Sequence, residues 1–330
     1  MLVVDLEREL RRNGKYSVNI AGIVAHISCG NEGSNSGCSC GDQRVFFLFE
    51  EQEYPLSHFE YTWMKDDQFC PDRMHLEALV EERKDWLENL GFEYADYTNL
   101  DIYYPLLDDH WVIYLDGKRG RAIGISSDNY YIDTLRKALS LGYLKASYEA
   151  SPFCLLLHAA GIVVDGHCFI FPALSGMGKT AISLRALESG LRVLSDEYIV
   201  VTETNGVFMA HPTPFGEVGN ETKPYPISGI VMLCKDSKNQ IRTFPWLEGF
   251  LRTWHGEFYY RLYYTHGNYA EKLFSQLMDL YRSLPCFYLS FTKDFKEWNL
   301  LLDALSGAPL EVFSILELKE TIMPKPSHDR

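Results

Sequence analysis

Short runs of branched and aromatic residues, separated by turn residues, predict strands along most of the chain. In the first third, "RVFFLFE" and "HWVIYLDGKRGRAIGIS" have this composition. Between them, "HLEALVEERKDWLENLG" places Leu76, Leu79, Trp86 and Leu90 at roughly helical spacing. These patterns predict a small α+β domain over residues 1–125.

The pattern changes near residue 125. A helix is predicted to start near Ser127, in "SSDNYYIDTLRKALSLGYL". Paired strand-like runs flank Asp165-Gly166 and Asn205-Gly206, and such pairs accept the positive φ angles of a two-residue hairpin turn. Later, "YAEKLFSQLMDLYRSL" and "FKEWNLLLDAL" predict helices around the strand "CFYLSF". We expect a second, α/β domain over residues 126–330 that contains hairpins and a strand-to-helix unit.

Composition and charge narrow the class of protein. A chain of 330 residues that is 46% hydrophobic can bury the cores of two domains. The formal charge of −14 leaves no basic field for sequence-independent nucleic-acid binding. No apolar run is long enough to span a bilayer, and the N-terminal "MLVVDLERELRRNGKY" is charged too early for a secretory signal. We expect a cytoplasmic protein with no nucleic-acid or membrane partner.

The eight cysteines are widely scattered, and we expect reduced thiols. The segment from Cys29 to Cys40, "CGNEGSNSGCSC", is typical of an exposed loop. Cys29, Cys38 and Cys40 lack the paired spacing of a zinc knuckle, so the sequence favours a flexible loop over a metal site there.

The most informative stretch is "FIFPALSGMGKTAISLRAL", in which a strand over residues 168–171 is followed by glycines and a predicted helix. Residues 173–180 fit the phosphate-loop pattern GxxxxGK[ST] except that Ala173 replaces the first glycine. That replacement matters only if the position needs a positive φ, which alanine resists by roughly 1 to 2 kcal/mol. The helix is predicted to stop at Gly190.

The residue types in this loop suit a nucleotide's phosphates. Gly176 and Gly178 let backbone N–H groups converge on phosphate oxygens, Lys179 neutralises them, and Thr180 offers a hydroxyl to Mg²⁺. The alternative is a plain strand-to-helix turn with Lys179 as a solvated surface charge. The candidate donor-binding residues are Ser175, Gly176, Met177, Gly178, Lys179 and Thr180.

Two further features lie near this loop in sequence. "LRVLSDEYIVV" leads an apolar run into Asp196 and Glu197, and acids in that place can hold magnesium and accept a proton. Alone, an acidic pair is more often a solvated turn. His158 follows the apolar run "FCLLL" at the start or end of a strand, where a core histidine is the alternative to a functional one.

Taken in order, these elements resemble the catalytic domain of bacterial HPr kinase/phosphorylase and the related serine kinases with a phosphoenolpyruvate-carboxykinase-type P-loop fold. The resemblance is clearest over residues 155–201. It implies an α/β kinase domain with mixed sheets, preceded by a domain that recognises the acceptor. It also implies that Asp196 is the general base, that His158 orients or tunes it, that Lys179 is catalytic, and that Thr180 and Glu197 bind the metal.

The function implied is transfer of a phosphoryl group from ATP, or another phosphoryl donor, with Mg²⁺ to a hydroxyl of a peptide, protein or small molecule. Similar members in peptide-modification clusters favour a peptide serine. The family's second signature is an acidic residue followed closely by Arg-Gly. The segment "PFGEVGN" provides Glu217 but no arginine, so the resemblance does not extend to the reverse reaction or to HPr as substrate. A nucleotide-sensing scaffold and an NTP hydrolase are the alternatives, and a homo-oligomer stays open.

Overall fold

The computed structural model describes a large part of the chain, namely residues 15–30, 43–51, 54–65, 101–103, 111–116, 121–126, 134–135, 138–140, 142–143, 146–147, 153–173, 176–256 and 268–307. The helix predicted within residues 75–91 lies outside these ranges, and so do Cys38, Cys40, Leu174 and Ser175.

The first sheet contains seven strands in the order β1-β2-β3-β4-β7-β6-β5. The strands are β1 (Lys15–Ile20), β2 (Ile23–Gly30), β3 (Gln43–Glu51), β4 (Tyr54–Lys65), β5 (Asp101–Tyr103), β6 (Trp111–Asp116) and β7 (Arg121–Ser126). The strands predicted in "RVFFLFE" and "HWVIYLDGKRGRAIGIS" are therefore confirmed. The loop predicted from Cys29 is wrong at its start, because Cys29 and Gly30 pair with Val45 and Arg44 as the end of β2.

The second sheet is mixed and contains nine strands. They are β8 (Cys154–Leu157), β9 (Ala159–Val164), β10 (His167–Pro172), β11 (Arg192–Ser195), β12 (Ile199–Thr204), β13 (Val207–His211), β14 (Tyr225–Lys235), β15 (Gln240–Thr243) and β16 (Cys286–Phe291). The strand order is β11-β9-β10-β14-β13-β12-β8, and β16 joins β14 to β15. The long strand β14 holds the sheet together, since its start pairs with β13 and its later part pairs in parallel with β10 and β16.

Both predicted hairpins are confirmed. β9 and β10 are antiparallel around Asp165 and Gly166, whose φ angles are 49° and 85°. β12 and β13 are antiparallel around Asn205 and Gly206, at 53° and 78°. Asparagine and aspartate tolerate the left-handed conformation better than most residues, which is why these pairs form two-residue turns.

Four helices are described in full: α1 (Lys179–Glu188), α2 (Trp246–Gly256), α3 (Asn268–Ser283) and α4 (Asn299–Gly307). Helical residues at 134–135, 138–140, 142–143 and 146–147 confirm the helix predicted after Ser127. The last helix begins later than its pattern predicts, because Phe295 and Trp298 are buried in the turns before it. Among the described residues, no helix combines the length and the apolar character needed to cross a membrane.

Two hydrophobic clusters form the core. The larger one joins Val18, Ile20 and Ile23 of the first sheet to buried residues of the second, and Tyr143 Oη donates to Ile20 O at 2.9 Å across that junction. The smaller one lies under α1 and includes Ile182 and the aromatic residues of β10 and β16. The two sheets therefore share packing, and the division into domains near residue 125 stays a prediction.

Candidate functional site

The strand directions bring the predicted functional segments to one edge of the second sheet. β10 and β11 are each antiparallel to β9, so they run in the same direction, and β14 and β16 run parallel to β10. The residues that follow β10 and β11, and those that precede β9, therefore lie at the same edge. Pro172 is opposite Ala159, and Ser195 is opposite Gly161. With strands about 4.8 Å apart, the turn after β11 lies roughly 10 Å from the turn after β10.

The turn after β10 takes the conformation that its glycines permit. Gly176 and Gly178 have φ angles of 81° and 114°, in the left-handed region that costs other residues roughly 1 to 2 kcal/mol. Gly178 is the N-cap of α1 and its carbonyl accepts from Ile182 N at 2.9 Å. Ala173 is outside the positive-φ region. Alanine therefore carries no backbone penalty where the loop pattern has its first glycine.

The start of α1 has the features of an anion site. No acidic residue lies in its first turn, so no side chain offsets the positive end of the helix dipole. Thr180 is exposed and Met177 is 41% exposed, so this part of the turn is open to a ligand. Helix N-termini with these properties bind phosphates through their N–H groups.

Lys179 is buried, with only 4% of its surface exposed, and its Nζ donates to Ala173 O at 2.7 Å. The side chain thus folds back under the loop. A solvated surface lysine, which the plain-turn alternative predicts, is not what the structure contains.

A second lysine, which the sequence patterns do not predict, contacts the same loop. Lys235 is the last residue of β14, and its Nζ donates to Gly176 O at 2.9 Å. The one signal in the sequence is a basic residue at the end of an apolar strand. That signal does not place Lys235 beside the loop, because its position depends on the parallel pairing of β10 with β14.

Asp196 directly follows β11 and is 2% exposed. Its Oδ1 accepts the backbone N–H groups of Glu217 and Val218, each at 2.9 Å. Gly216 must be small here, because a Cβ at that position would lie 2.5 Å from Asp196 Oδ1. The carboxylate is therefore held by a segment about twenty residues further along the chain.

Ser195 shapes the rest of this turn. Its hydroxyl accepts the N–H groups of Glu197 at 3.2 Å and Tyr198 at 3.3 Å, in the manner of a serine that caps a turn. This arrangement directs Glu197 toward His158, whose Nε2 lies 3.2 Å from Glu197 Oε1. The His158 side chain is 12% exposed and the Glu197 side chain 42% exposed. The His158 ring also packs against Tyr198, with ring centroids 5.1 Å apart.

The structure thus brings together the residues that the sequence singled out, with one difference in pairing. The contact described for His158 is with Glu197, whereas the sequence analysis expected it to act on Asp196. Of the six candidate donor-binding residues, Ser175 lies outside the described residues. Within the described part of the chain, no group of three acidic, histidine or cysteine side chains could hold a metal ion. Mg²⁺ often takes only one or two protein ligands, and the side chains of Thr180 and Glu197 carry the oxygen atoms that it prefers.

A family model described as SynChlorMet cassette protein ScmC matches residues 126–301. The chain belongs to this family. The match to the ScmC model includes the whole second sheet and every residue of the candidate site.

Two other comparisons add little. A solved structure titled "Structure of the Hpr(Ser) kinase/phosphatase from Coxiella burnetii" is 12% identical and covers 46% of this chain and 93% of that chain, with a TM-score of 0.27. That score is too low to establish a shared fold. No curated protein matches the chain.

Proposed function

We propose that this ScmC-family chain is a kinase of the HPr kinase-like type, which transfers a phosphoryl group from Mg·ATP to a hydroxyl acceptor, a serine of a peptide or protein. The observation that carries the proposal is that the turns after β10 and β11 lie at the same end of the strands of the second sheet. One presents positive-φ glycines, a helix N-terminus and Lys179, and the other presents Asp196. Phosphoryl transfer needs these two parts, a phosphate cradle and a base for the attacking hydroxyl.

The loop after β10 is the donor site in this proposal. The N–H groups at the start of α1 bind phosphate oxygens, and two lysines that contact the turn supply positive charge. Lys179 and Lys235 already donate to the loop carbonyls of Ala173 and Gly176. Their ammonium groups are thus held beside the phosphate position. Thr180 and Glu197 would hold Mg²⁺, which offsets the charge that develops on the donor.

Asp196 is the base. Its Oδ1 is occupied by the N–H groups of Glu217 and Val218, which leaves Oδ2 to accept the proton of the acceptor hydroxyl. The acceptor oxygen forms a bond to the terminal phosphorus as the bond from that phosphorus to the leaving ADP breaks. His158 holds Glu197 in place, so its effect on Asp196 passes through the turn of residues 195–198.

The proposal is tested by incubating the purified chain with γ-labelled ATP, Mg²⁺ and extract of the source cells. We expect label to appear in a peptide or protein acceptor with wild type and to be lost with Asp196→Asn. Phosphate release without a labelled acceptor would make the chain an NTP hydrolase instead. Tight nucleotide binding with neither product would make it a nucleotide sensor. Either result would overturn the kinase proposal.

A further inference from the structure

A cavity of about 280 Å³ lies between the first sheet and the segment that covers Asp196. One wall is formed by four consecutive residues of β1, Ser17–Ile20. The other wall comes from residues 212–214 and 216–219, with Leu194, Glu221 and Thr222. This size is at the lower end of the range for ligand pockets and suits a few residues of a peptide.

The cavity runs along the edge of β1, not over one of its faces. Successive side chains of a strand point to opposite faces, yet all four of Ser17–Ile20 line the cavity. Val18 and Ile20 are buried in the core while Ser17 and Asn19 are exposed, so these residues do alternate between faces. The hydrogen-bonding edge of β1 is the one side of the strand to which all four residues contribute. β1 is the end strand of its sheet among the described strands, and β2 occupies its other edge.

The hairpin register shows which peptide groups point into the cavity. Ile20 pairs with Ile23 across the two-residue turn at Ala21 and Gly22, whose φ angles of 53° and 89° are those of a type I′ turn. In such a hairpin the residues that flank the turn exchange hydrogen bonds, and every second residue does the same. The N–H and C=O groups of Ser17 and Asn19 therefore point away from β2. The described residues provide no backbone partner for them outside the hairpin.

The cavity shares residues with the segment that holds the candidate base, Asp196. Gly216, Glu217 and Val218 line it, and the N–H groups of Glu217 and Val218 hold Asp196 Oδ1. The acidic side chains of the lining disfavour a phosphorylated or otherwise anionic ligand. Burial raises the pKa of Glu221, but hydrogen bonds from Tyr225 and from the N–H groups of Thr222 and Lys223 leave that pKa below its ordinary value.

We propose that this cavity, between the free edge of β1 and residues 212–222, binds the acceptor as an extended peptide that adds a strand to β1. The inference rests on the proposed function, because it names where and how the kinase holds its acceptor. An extended peptide supplies alternating donors and acceptors to the outward backbone groups of Ser17 and Asn19, for which the described part of the chain has no backbone partner outside the hairpin, as in other cases of strand addition. Phosphate would be transferred to a serine that follows the docked segment and reaches the edge where Asp196 lies.

Direct binding tests the cavity separately from catalysis. The probe is a pool of fluorescein-labelled short peptides, each with a serine between randomised residues, titrated with the full chain by anisotropy and without nucleotide. We expect saturable binding to wild type. Thr222→Trp places an indole ring at the exposed side of the cavity lining and should weaken binding about tenfold by obstructing the cavity. The matched control is Lys223→Trp, an exposed neighbour that does not line the cavity, and it should bind like wild type.

A second variant tests the strand edge itself. Ser17→Pro removes an outward N–H and blocks pairing, and proline is tolerated on an edge whose N–H faces outward. It should weaken peptide binding, while Ser17→Ala, which removes only the hydroxyl bonded to His26, should not. In the labelling assay, Thr222→Trp and Ser17→Pro should each raise the KM for peptide and leave kcat and the KM for ATP unchanged.

Three results would overturn the inference: no peptide binding by wild type, equal binding by Thr222→Trp and wild type, or a dimer that Thr222→Trp dissociates without any change in peptide affinity. The last would make the cavity a contact between copies of the chain. Peptide binding without phosphate transfer would support the cavity and contradict the kinase. Phosphate transfer to a peptide at an unchanged rate in Thr222→Trp and Ser17→Pro would support the kinase and contradict the cavity.

Discussion

The two turns that meet at the edge of the second sheet are built in opposite ways. The turn after β10 is open and is shaped by its own backbone, with positive φ angles at Gly176 and Gly178. The turn after β11 is closed, and its buried Asp196 is held by the N–H groups of a distant segment. The glycines of the two sites also have different roles. Gly176 adopts a positive φ angle, whereas Gly216 leaves room for the Asp196 carboxylate.

This difference suits the two tasks in phosphoryl transfer. A donor site must admit a large, charged ligand, so an open loop with N–H groups ready for phosphate is suitable. A base must be fixed in position relative to the attacking oxygen, so a buried carboxylate held by two hydrogen bonds is suitable. Loss of Asp196 should therefore affect the chemical step, and changes in the turn after β10 should affect nucleotide binding and local stability.

The largest effect is expected from Asp196→Asn. The asparagine side-chain oxygen can still accept from Glu217 N and Val218 N, so the fold and nucleotide affinity should be retained. Loss of the base should lower kcat by about 10²- to 10⁴-fold. Rates of labelled transfer, with thermal unfolding as the control, check this. Equal rates for the variant and wild type would remove Asp196 from the chemistry.

Gly178→Ala should have the next largest effect, on stability. At a φ of 114° the new Cβ would lie 2.9 Å from Phe291 Cζ, so backbone strain and overpacking add to about 2 to 5 kcal/mol. Gly176→Ala is the matched control. It has a φ of 81° and open space around it, and should cost only about 1 to 2 kcal/mol. Denaturant unfolding measures both, and equal costs would contradict the close contact with Phe291.

Lys179→Met should weaken Mg·ATP binding about 10- to 100-fold, since it removes a charged hydrogen bond of about 1.5 to 3 kcal/mol and retains most of the side chain's volume. Because Lys179 is buried and bonded to Ala173 O, some loss of stability should accompany it. Calorimetric titration beside thermal unfolding separates the two effects. Unchanged affinity would argue against the donor site.

The smallest effect is expected from Lys235→Gln, because this lysine is exposed. Loss of its charge should weaken ATP binding about three- to tenfold. ADP binding should weaken less, because ADP lacks the terminal phosphate that the ammonium group would contact. Lys238→Gln, an exposed lysine three residues later, is the control. If ATP and ADP affinities fall equally, Lys235 only positions the loop.

Features that depend on a few adjacent residues could be predicted from the sequence. The turns at Asp165-Gly166 and Asn205-Gly206 were recognised because positive φ restricts the residue types that can occupy them. The positive φ angles of Gly176 and Gly178 after β10 were predicted for the same reason, and the identity of this turn as a phosphate loop stays a prediction. Ala173 departs from the loop pattern at a position where no positive φ is needed, which explains how the departure is tolerated.

Features that depend on distant pairing could not be predicted. Lys235 reaches Gly176 only because β14 runs parallel to β10, and Gly216 contacts Asp196 only because residues 216–221 run beside β11. The contact of His158 with Glu197 similarly depends on two strand pairings, of β8 with β12 and of β9 with β11. No local pattern of hydrophobic residues encodes these contacts.

The central claim is that the turn after β10 is a nucleotide-phosphate site served by the residues around it. Calorimetric titration of the wild-type chain with ATP, in the presence and absence of Mg²⁺, tests it most directly. We expect saturable binding of one ATP per chain that is tighter with Mg²⁺, and a loss of this Mg²⁺ dependence in Glu197→Gln. No binding by a folded wild-type chain, or binding that Mg²⁺ leaves unchanged, would contradict it.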